Sequence, residues 1–221
     1  GSGKTTILTL KIMKLLNGHI HEPQGLACLT YSKEAAREFK ERLEKLGYKK
    51  RKNVFLGTVH SFCLSEVLGN FVQLYDCGIP MPIKIVSDKM KRDLFKKAKE
   101  AVGNNPKLKI EAMDKQRSLQ IAGRSEIEVV EDEDAKKVAA EYERLLFEAG
   151  YIDFETIIIA STKLIQEHEY VRLCLRAKFP WLVIDEYQDL GKPLHEMVLS
   201  LFTQTDIKLF VGSACCTPSP S

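Results

Sequence analysis

Residues 179–190 read FPWLVIDEYQDL. Four apolar residues, Trp181 to Ile184, run directly into the adjacent carboxylates Asp185 and Glu186, and Asp189 follows three residues later. A bounded apolar run of this length fits a buried strand. A strand that ends on one acid and is followed at once by another holds two carboxylates rigidly at the edge of a sheet. What they do there depends on the rest of the chain.

Working outward, GLACLT (25–30), VFLGTVH (54–60) and IKLFVG (207–212) also read as strands. Helical patterns separate them. One runs from Thr5 to Leu16 and closes on Asn17-Gly18, good C-terminal chemistry. A second is capped by Ser32, places Ala36, Phe39, Leu43 and Leu46 at 3–4 spacing, and stops at Gly47. SFCLSEVL (61–68) reads as a short helix, and Pro193 to Phe202 as another. Strands alternating with helices predict an α/β fold with a parallel sheet. Between 67 and 174 the character changes to long charged helical patterns. Pro80, Pro82 and Gly103-Asn104-Asn105-Pro106 break them, and no convincing inner strand occurs. The expected division is therefore an α/β domain from 1–66 and 175–221, with 67–174 as a mainly helical insertion. The closing SACCTPSPS (213–221) has no periodicity and reads as loop.

Composition narrows the class without naming it. Of 221 residues, 44% are apolar and 29% charged, as in ordinary water-soluble domains, and a net charge of +3 is too small to argue for a nucleic-acid partner. Basic runs at Lys49-Lys50-Arg51-Lys52 and from Lys84 to Lys99, and an acidic one from Glu126 to Asp134, read first as solvated faces. Six cysteines without Cys-x-x-Cys or metal spacing point to reduced thiols and a cytoplasmic protein. No apolar stretch approaches ~18 residues, which excludes a spanning helix. The chain opens on GSGKTT with no initiator Met, so it reads as a piece of something longer.

That opening supplies the partner the two acids need. GSGKTT is the distal half of the phosphate loop G-x-x-x-x-G-K-[ST]. Gly1 and Gly3 let backbone N–H groups turn toward a phosphate, with Ser2 between them. Lys4 neutralises β/γ oxygens, the Thr5 hydroxyl suits Mg²⁺, and Thr6 continues into a helix whose N-terminus adds its dipole. A downstream carboxylate can then hold the metal and the next can take a proton from attacking water.

Several motifs resemble the UvrD/Rep-type superfamily 1 DNA helicases. VIDEYQDL is similar to that family's D-E-x-Q-D motif, LTYSKEAAREFKERL (29–43) to its T-F-T-N-K-A-A segment, GTVHSFC (57–63) to its T-x-H-S-F segment, and YIDFETII (151–158) to its L-D-F-D-D-L-L stretch. Order and spacing agree, and together they cover nearly the whole chain. The resemblance implies a RecA-like P-loop NTPase domain with a helical insertion, using ATP and Mg²⁺ and moving 3′-to-5′ on single-stranded DNA. It implies that Gly1, Ser2, Gly3, Lys4, Thr5 and Thr6 bind ATP, that Thr5 and Asp185 serve Mg²⁺, that Glu186 is the general base, and that Gln188 reads the γ-phosphate. It also implies that Thr30, Tyr31, Ser32, Lys33, Thr58, His60, Ser61 and Phe62 line the DNA path. The residues themselves leave Tyr31 and Phe62 open between base stacking and core packing, and His60 open as a turn cap. Asp189 is read as orienting neighbouring loops.

The chain departs from the pattern in two places. Lys33-Glu34 stands where the family has Asn-Lys, and VGSACCTPSPS where it has V-G-D-x-x-Q-S-I-Y. A second RecA-like domain, bearing arginine fingers, is expected outside these residues. The strand before the phosphate loop, which in the family separates the Asp185 strand from the 207–212 strand, is also absent, so a gap or an awkward direct pairing is expected there. Alternatives from other classes are a non-catalytic DNA- or protein-binding remnant and the N-terminal part of an AddA/RecB-like nuclease–helicase.

Overall fold

Four five-residue strands, β1 (Leu26–Thr30), β2 (Val54–Thr58), β3 (Trp181–Asp185) and β4 (Lys208–Gly212), form one parallel sheet in the order β2-β1-β3-β4. The structure, a computed structural model, describes residues 3–103, 105–119, 133–185, 192–203 and 205–212. Every residue of β1 is buried, because helices cover both faces of a parallel sheet. The helices are α1 (Gly3–Gly18), α2 (Lys33–Lys45), α3 (Val59–Phe62), α4 (Gly69–Phe71), α5 (Asp88–Val102), α6 (Ile110–Leu119), α7 (Glu133–Glu148), α8 (Phe154–Glu167), α9 (Glu169–Lys178) and α10 (Lys192–Thr203). A π-helical stretch, Cys63–Leu68, joins α3 to α4.

Period-two alternation sorts the strand residues between two cores. On one face Leu26, Cys28 and Val183 meet Leu8, Ile12, Leu15 and Leu16 of α1 and Phe39 and Leu43 of α2. On the other, Ala27, Leu29, Leu182 and Ile184 meet Val59 and Phe62, the apolar faces of α8 and α9, and Met197, Val198 and Leu201 of α10. A third cluster, with Leu94 and Ala98 of α5, Met113 of α6 and Val138, Tyr142 and Leu146 of α7, stands apart from the sheet. Within 67–174, then, α5 to α7 build their own core, while α8 covers the sheet together with α9, which runs across the expected boundary to Lys178. Among the described residues of that span the extended pairing is an isolated bridge, Ile85 with Ile152.

Two expectations change in detail. The strand at 54–60 ends at Thr58, because its side chain accepts a hydrogen bond from the Ser61 N–H (3.1 Å) and starts α3 at Val59. Of the two outcomes expected between β3 and β4, a gap or a direct pairing, the structure has the pairing, in regular register. The two strands pair directly over five residues, from Trp181 with Lys208 to Asp185 with Gly212. An unpaired buried ladder edge would leave peptide groups unsatisfied, which a direct pairing avoids. The tail at 213–221 lies outside the described residues.

The basic runs are partly structural. The Arg51 guanidinium donates to the Leu16 carbonyl (2.8 Å) and so caps the end of α1, and Lys91 pairs with Asp114 at 2.7 Å. Arg51 lies just before β2, so the C-terminus of α1 sits at the N-terminal edge of the sheet. Sixteen helical residues rise ~24 Å, longer than a five-residue strand at ~16 Å. The N-terminus of α1 therefore reaches the C-terminal edge.

At the opposite edge Gly25 admits no side chain. A Cβ there would lie 1.7 Å from the Asn53 carbonyl oxygen, which accepts from the Leu26 N–H. Gly25→Ala is expected to lower stability by ~1–3 kcal/mol through overpacking against backbone, read from urea unfolding midpoints.

Candidate functional site

The C-terminal edge of the sheet carries a polar row. Thr30 pairs with Thr58 across β1 and β2, and Leu29 pairs with Ile184, so the next position brings Thr30 alongside Asp185. Asp185 in turn pairs with Gly212. Asp185 is 5% exposed. Val183 and Cys28 face α1, and alternation turns Asp185 the same way. Burial, and then the nearby Asp185 charge, push the Cys28 thiol well up, so it stays protonated and inert.

The first turn of α1 begins at Gly3 and contains no acidic residue of its own, so the helix end keeps the positive pole of its dipole. A helix N-terminus and a buried carboxylate thus share one face of the sheet edge. That donor set fits a metal-chelated phosphate: the helix end takes the anion and Asp185 the cation. Among the described residues no cluster of three or more His, Cys, Asp or Glu could hold a metal alone, so a cation there would need oxygens from its ligand. Of the expected ATP residues, Gly3, Lys4 and Thr5 are described as helix backbone and Thr6 is exposed on the first turn. Gly1, Ser2, Glu186, Gln188 and Asp189 lie outside the described residues.

The loops after β1 and β2 build a second surface beside this row. Tyr31 is 53% exposed and Lys33 is exposed at the start of α2. Ser32 caps that helix by accepting from the Ala35 N–H (3.0 Å), and the Thr30 hydroxyl donates to the Ser32 carbonyl (3.0 Å). Ser61 is exposed, while its hydroxyl donates to the Thr58 carbonyl (2.8 Å). His60 is half-buried, and burial lowers its pKa from 6.5, which keeps the ring neutral at pH 7. These residues are polar, short or aromatic, and their backbone is fixed by caps.

Phe62 does not belong to that surface. It is 1% exposed, with its ring against Phe55 (5.4 Å between centroids) and Phe179 (5.8 Å). The helical turn that exposes Ser61 sends the next side chain into the core, so this ring cannot stack on a base. Phe154, which sequence reasoning passed over, takes the exposed place. It is 50% exposed, and its ring meets His60 edge-on at 5.4 Å. The signal was an aromatic directly after a helix-capping acid, Asp153, where a side chain is free of the core.

Two substitutions separate the roles. Phe62→Ala should cost ~3–5 kcal/mol of stability by emptying the core and leave surface binding to the folded fraction unaltered. Thr58→Ala should cost only ~1 kcal/mol through loss of the cap. Thermal unfolding of both variants checks the order.

The amino-acid sequence has known relatives. A family model described as the UvrD/REP helicase N-terminal domain matches residues 1–213. Among curated proteins the chain is similar to the ATP-dependent DNA helicase Rep of Escherichia coli strain K12, at 27% identity over 96% of this chain and 31% of that protein. It is similar to Rep of Buchnera aphidicola at 26% (96% of this chain, 34% of that protein) and to the ATP-dependent DNA helicase PcrA of Bacillus subtilis strain 168 at 26% (97% and 30%). The chain spans about a third of the length of these relatives. With a parallel sheet, a helix N-terminus at its C-terminal edge, a buried strand-end carboxylate and a match over nearly all its length, the chain belongs to the UvrD/REP helicase N-terminal domain family.

Proposed function

We propose that this chain is the N-terminal ATPase portion of an ATP-dependent DNA helicase that translocates 3′-to-5′ on single-stranded DNA. The observation that carries the reading is Asp185, a buried carboxylate at the end of a central strand, on the sheet face covered by α1. We read the 1–66 and 175–221 segments as the RecA-like ATP-binding domain and 67–174 as the insertion, of which α5 to α7 build a separate core and α8 packs back on the sheet. No helix among the described residues is long and apolar enough to cross a membrane. The cytoplasmic location we propose rests on the helicase reading itself.

In this reading Gly1, Ser2, Gly3, Lys4, Thr5 and Thr6 cradle the ATP phosphates. Backbone N–H groups and the helix end meet their charge and Lys4 reaches the β/γ oxygens. Thr5 and Asp185 are the residues that would hold Mg²⁺, which when bound draws charge from the phosphate oxygens. Glu186, next to the fixed Asp185, takes the proton of the attacking water, and Gln188 senses the γ-phosphate. Charge on the far side of the γ-phosphate is met by arginines of a second RecA-like domain, outside the 221 residues. Such a finger is worth on the order of 10³–10⁵ in rate, so the 221-residue chain alone is expected to hydrolyse ATP barely at all.

DNA follows the second surface. Ser32, Lys33 and Ser61 suit phosphates, while Thr30 and Thr58, expected on the DNA path, are buried and use their hydroxyls to hold the loop backbone beneath it. Tyr31 and Phe154 offer faces to bases, with His60 between protein and strand. Tyr31→Ala in the full-length protein should weaken single-stranded DNA binding by ~1–3 kcal/mol. Affinity should also fall steeply with salt as counterions are released. Titrations of a labelled oligonucleotide at several salt concentrations measure both, and unaltered affinity in the variant removes Tyr31 from the path.

For catalysis, Glu186→Gln should keep Mg²⁺–ATP binding and abolish DNA-stimulated turnover, since an amide cannot accept the proton. Lys4→Ala should lose nucleotide affinity as well. Nucleotide binding and steady-state phosphate release with single-stranded DNA present test the pair, and near-normal turnover by Glu186→Gln refutes the assignment of the base.

A further inference from the structure

Asp153 caps α8, yet its carboxylate takes more donors than a cap needs. One oxygen, Oδ1, accepts from the Thr156 N–H (2.9 Å), the Thr156 hydroxyl (2.8 Å) and Arg117 Nη2 (3.1 Å). The other accepts from Arg117 Nη1 (2.6 Å) and the Tyr142 hydroxyl (3.1 Å), with Lys91 Nζ at 3.7 Å. Arg117 exposes 0% of its surface. Its Nη2 also donates to the Thr156 hydroxyl (2.8 Å), and carboxylate oxygens of Asp114 and Glu143 stand 3.7 and 3.6 Å away. Ion pairs sealed from water are weak evidence for stability, because desolvation offsets attraction, and their best-attested use is to fix geometry.

Here the geometry being fixed runs through three consecutive residues. Ile152 is held on both sides, its N–H donating to the Lys84 carbonyl (2.8 Å) and its carbonyl accepting from the Val86 N–H (2.8 Å). Asp153 is gripped by Arg117 from α6 and Tyr142 from α7. Phe154 follows directly, half exposed and edge-on to His60. The helical unit of α5 to α7 thus meets the start of α8 through Asp153 and its neighbours, Arg117 on Asp153 and Thr156 and the Ser118 hydroxyl on Glu155 (3.0 Å).

We propose that Arg117 is a positioning residue for the DNA surface: by gripping Asp153 from α6 it sets the first turn of α8 and holds Phe154 edge-on against His60, a role that rests on reading that surface as the path of single-stranded DNA. Arg117 touches neither DNA nor nucleotide. Its planar fork meets both carboxylate oxygens at once, and a lysine, a point charge on a flexible stem, cannot reproduce that grip.

The test uses the full-length protein with two variants, Arg117→Lys and the double variant Arg117→Met/Asp153→Asn. The double variant removes both buried charges together, which such sites tolerate, and asparagine keeps the cap. The first readout is the His60 imidazole resonance, assigned with His60→Gln, compared between the parent, Phe154→Ala and the two variants. The second is affinity for an oligo-dT strand relative to an abasic strand of equal length and charge, which isolates base stacking from phosphate contact. In both variants the His60 resonance should move toward its Phe154→Ala position. The dT preference over the abasic strand should fall at least about fivefold, the lower end of one lost stack, with abasic affinity and ATP binding unchanged. A purely structural role for Arg117 would instead lower melting temperature and leave both readouts of the folded protein at parent values, overturning the proposal. If Phe154→Ala itself leaves the dT preference intact, the reading of this face as the DNA path fails, and the proposal with it. If Phe154→Ala lowers that preference but either folded Arg117 variant keeps it, the DNA reading stands and the positioning role alone is overturned.

Discussion

β3 is paired on both edges, to β1 and to β4, and packed against apolar helices on both faces. A strand held in four directions cannot shift register by one residue without turning Leu182 and Ile184 out of one core and Val183 out of the other. That constraint delivers Asp185 to a defined depth at the C-terminal edge. It also puts Asp185 on the side of α1, whose opposite end is fixed by Arg51 on the Leu16 carbonyl. The candidate nucleotide site is thus a consequence of sheet register and helix length rather than of any contact within the site.

The same logic builds the neighbouring surface. Ser32 and Thr58 each spend a side-chain oxygen on starting a helix, and those caps fix where β1 and β2 hand over to α2 and α3. The caps leave Tyr31, Lys33 and Ser61 outward and send Phe62 inward. A third helix start, at Asp153, adds Phe154, and there the capping acid is reinforced by a buried arginine from α6. Breaking a buried pair by removing one partner costs ~3–5 kcal/mol, far above the ~1 kcal/mol of a simple cap. Of the three helix starts, the one at α8 is held hardest, and it is the one where two cores meet.

Much of this was legible in the residues. The run WLVID announced β3 and its terminal carboxylate together, because apolar strand length and the acid that ends it are local properties. Ser32 and Gly47 marked both ends of α2 well, since capping chemistry is written in single residues. Phe62 and Phe154 were not separable in the same way. Both are aromatics in a motif; the turn that α3 begins at Val59 sends Phe62 inward, and the start of α8 after the Asp153 cap leaves Phe154 exposed. The strand read at 54–60 overran for a related reason: Val59 and His60 suit a strand by type, and the Thr58 cap overrides that preference.

The sequence by itself determined the α/β class, the parallel strands, the phosphate-loop helix and the strand-end acid, and through its ordered motifs the family. These follow from periodicity, capping and charge placed within a few residues of one another. Tertiary structure alone decided between a gap and a direct pairing of β3 with β4, and decided that α8 and α9 cover the sheet while α5 to α7 build a separate core, and that Arg117 finds Asp153 from 36 positions away. Each of these joins residues distant in the chain through burial or through hydrogen bonds that water would otherwise satisfy. No local pattern encodes which distant partner will exclude that water.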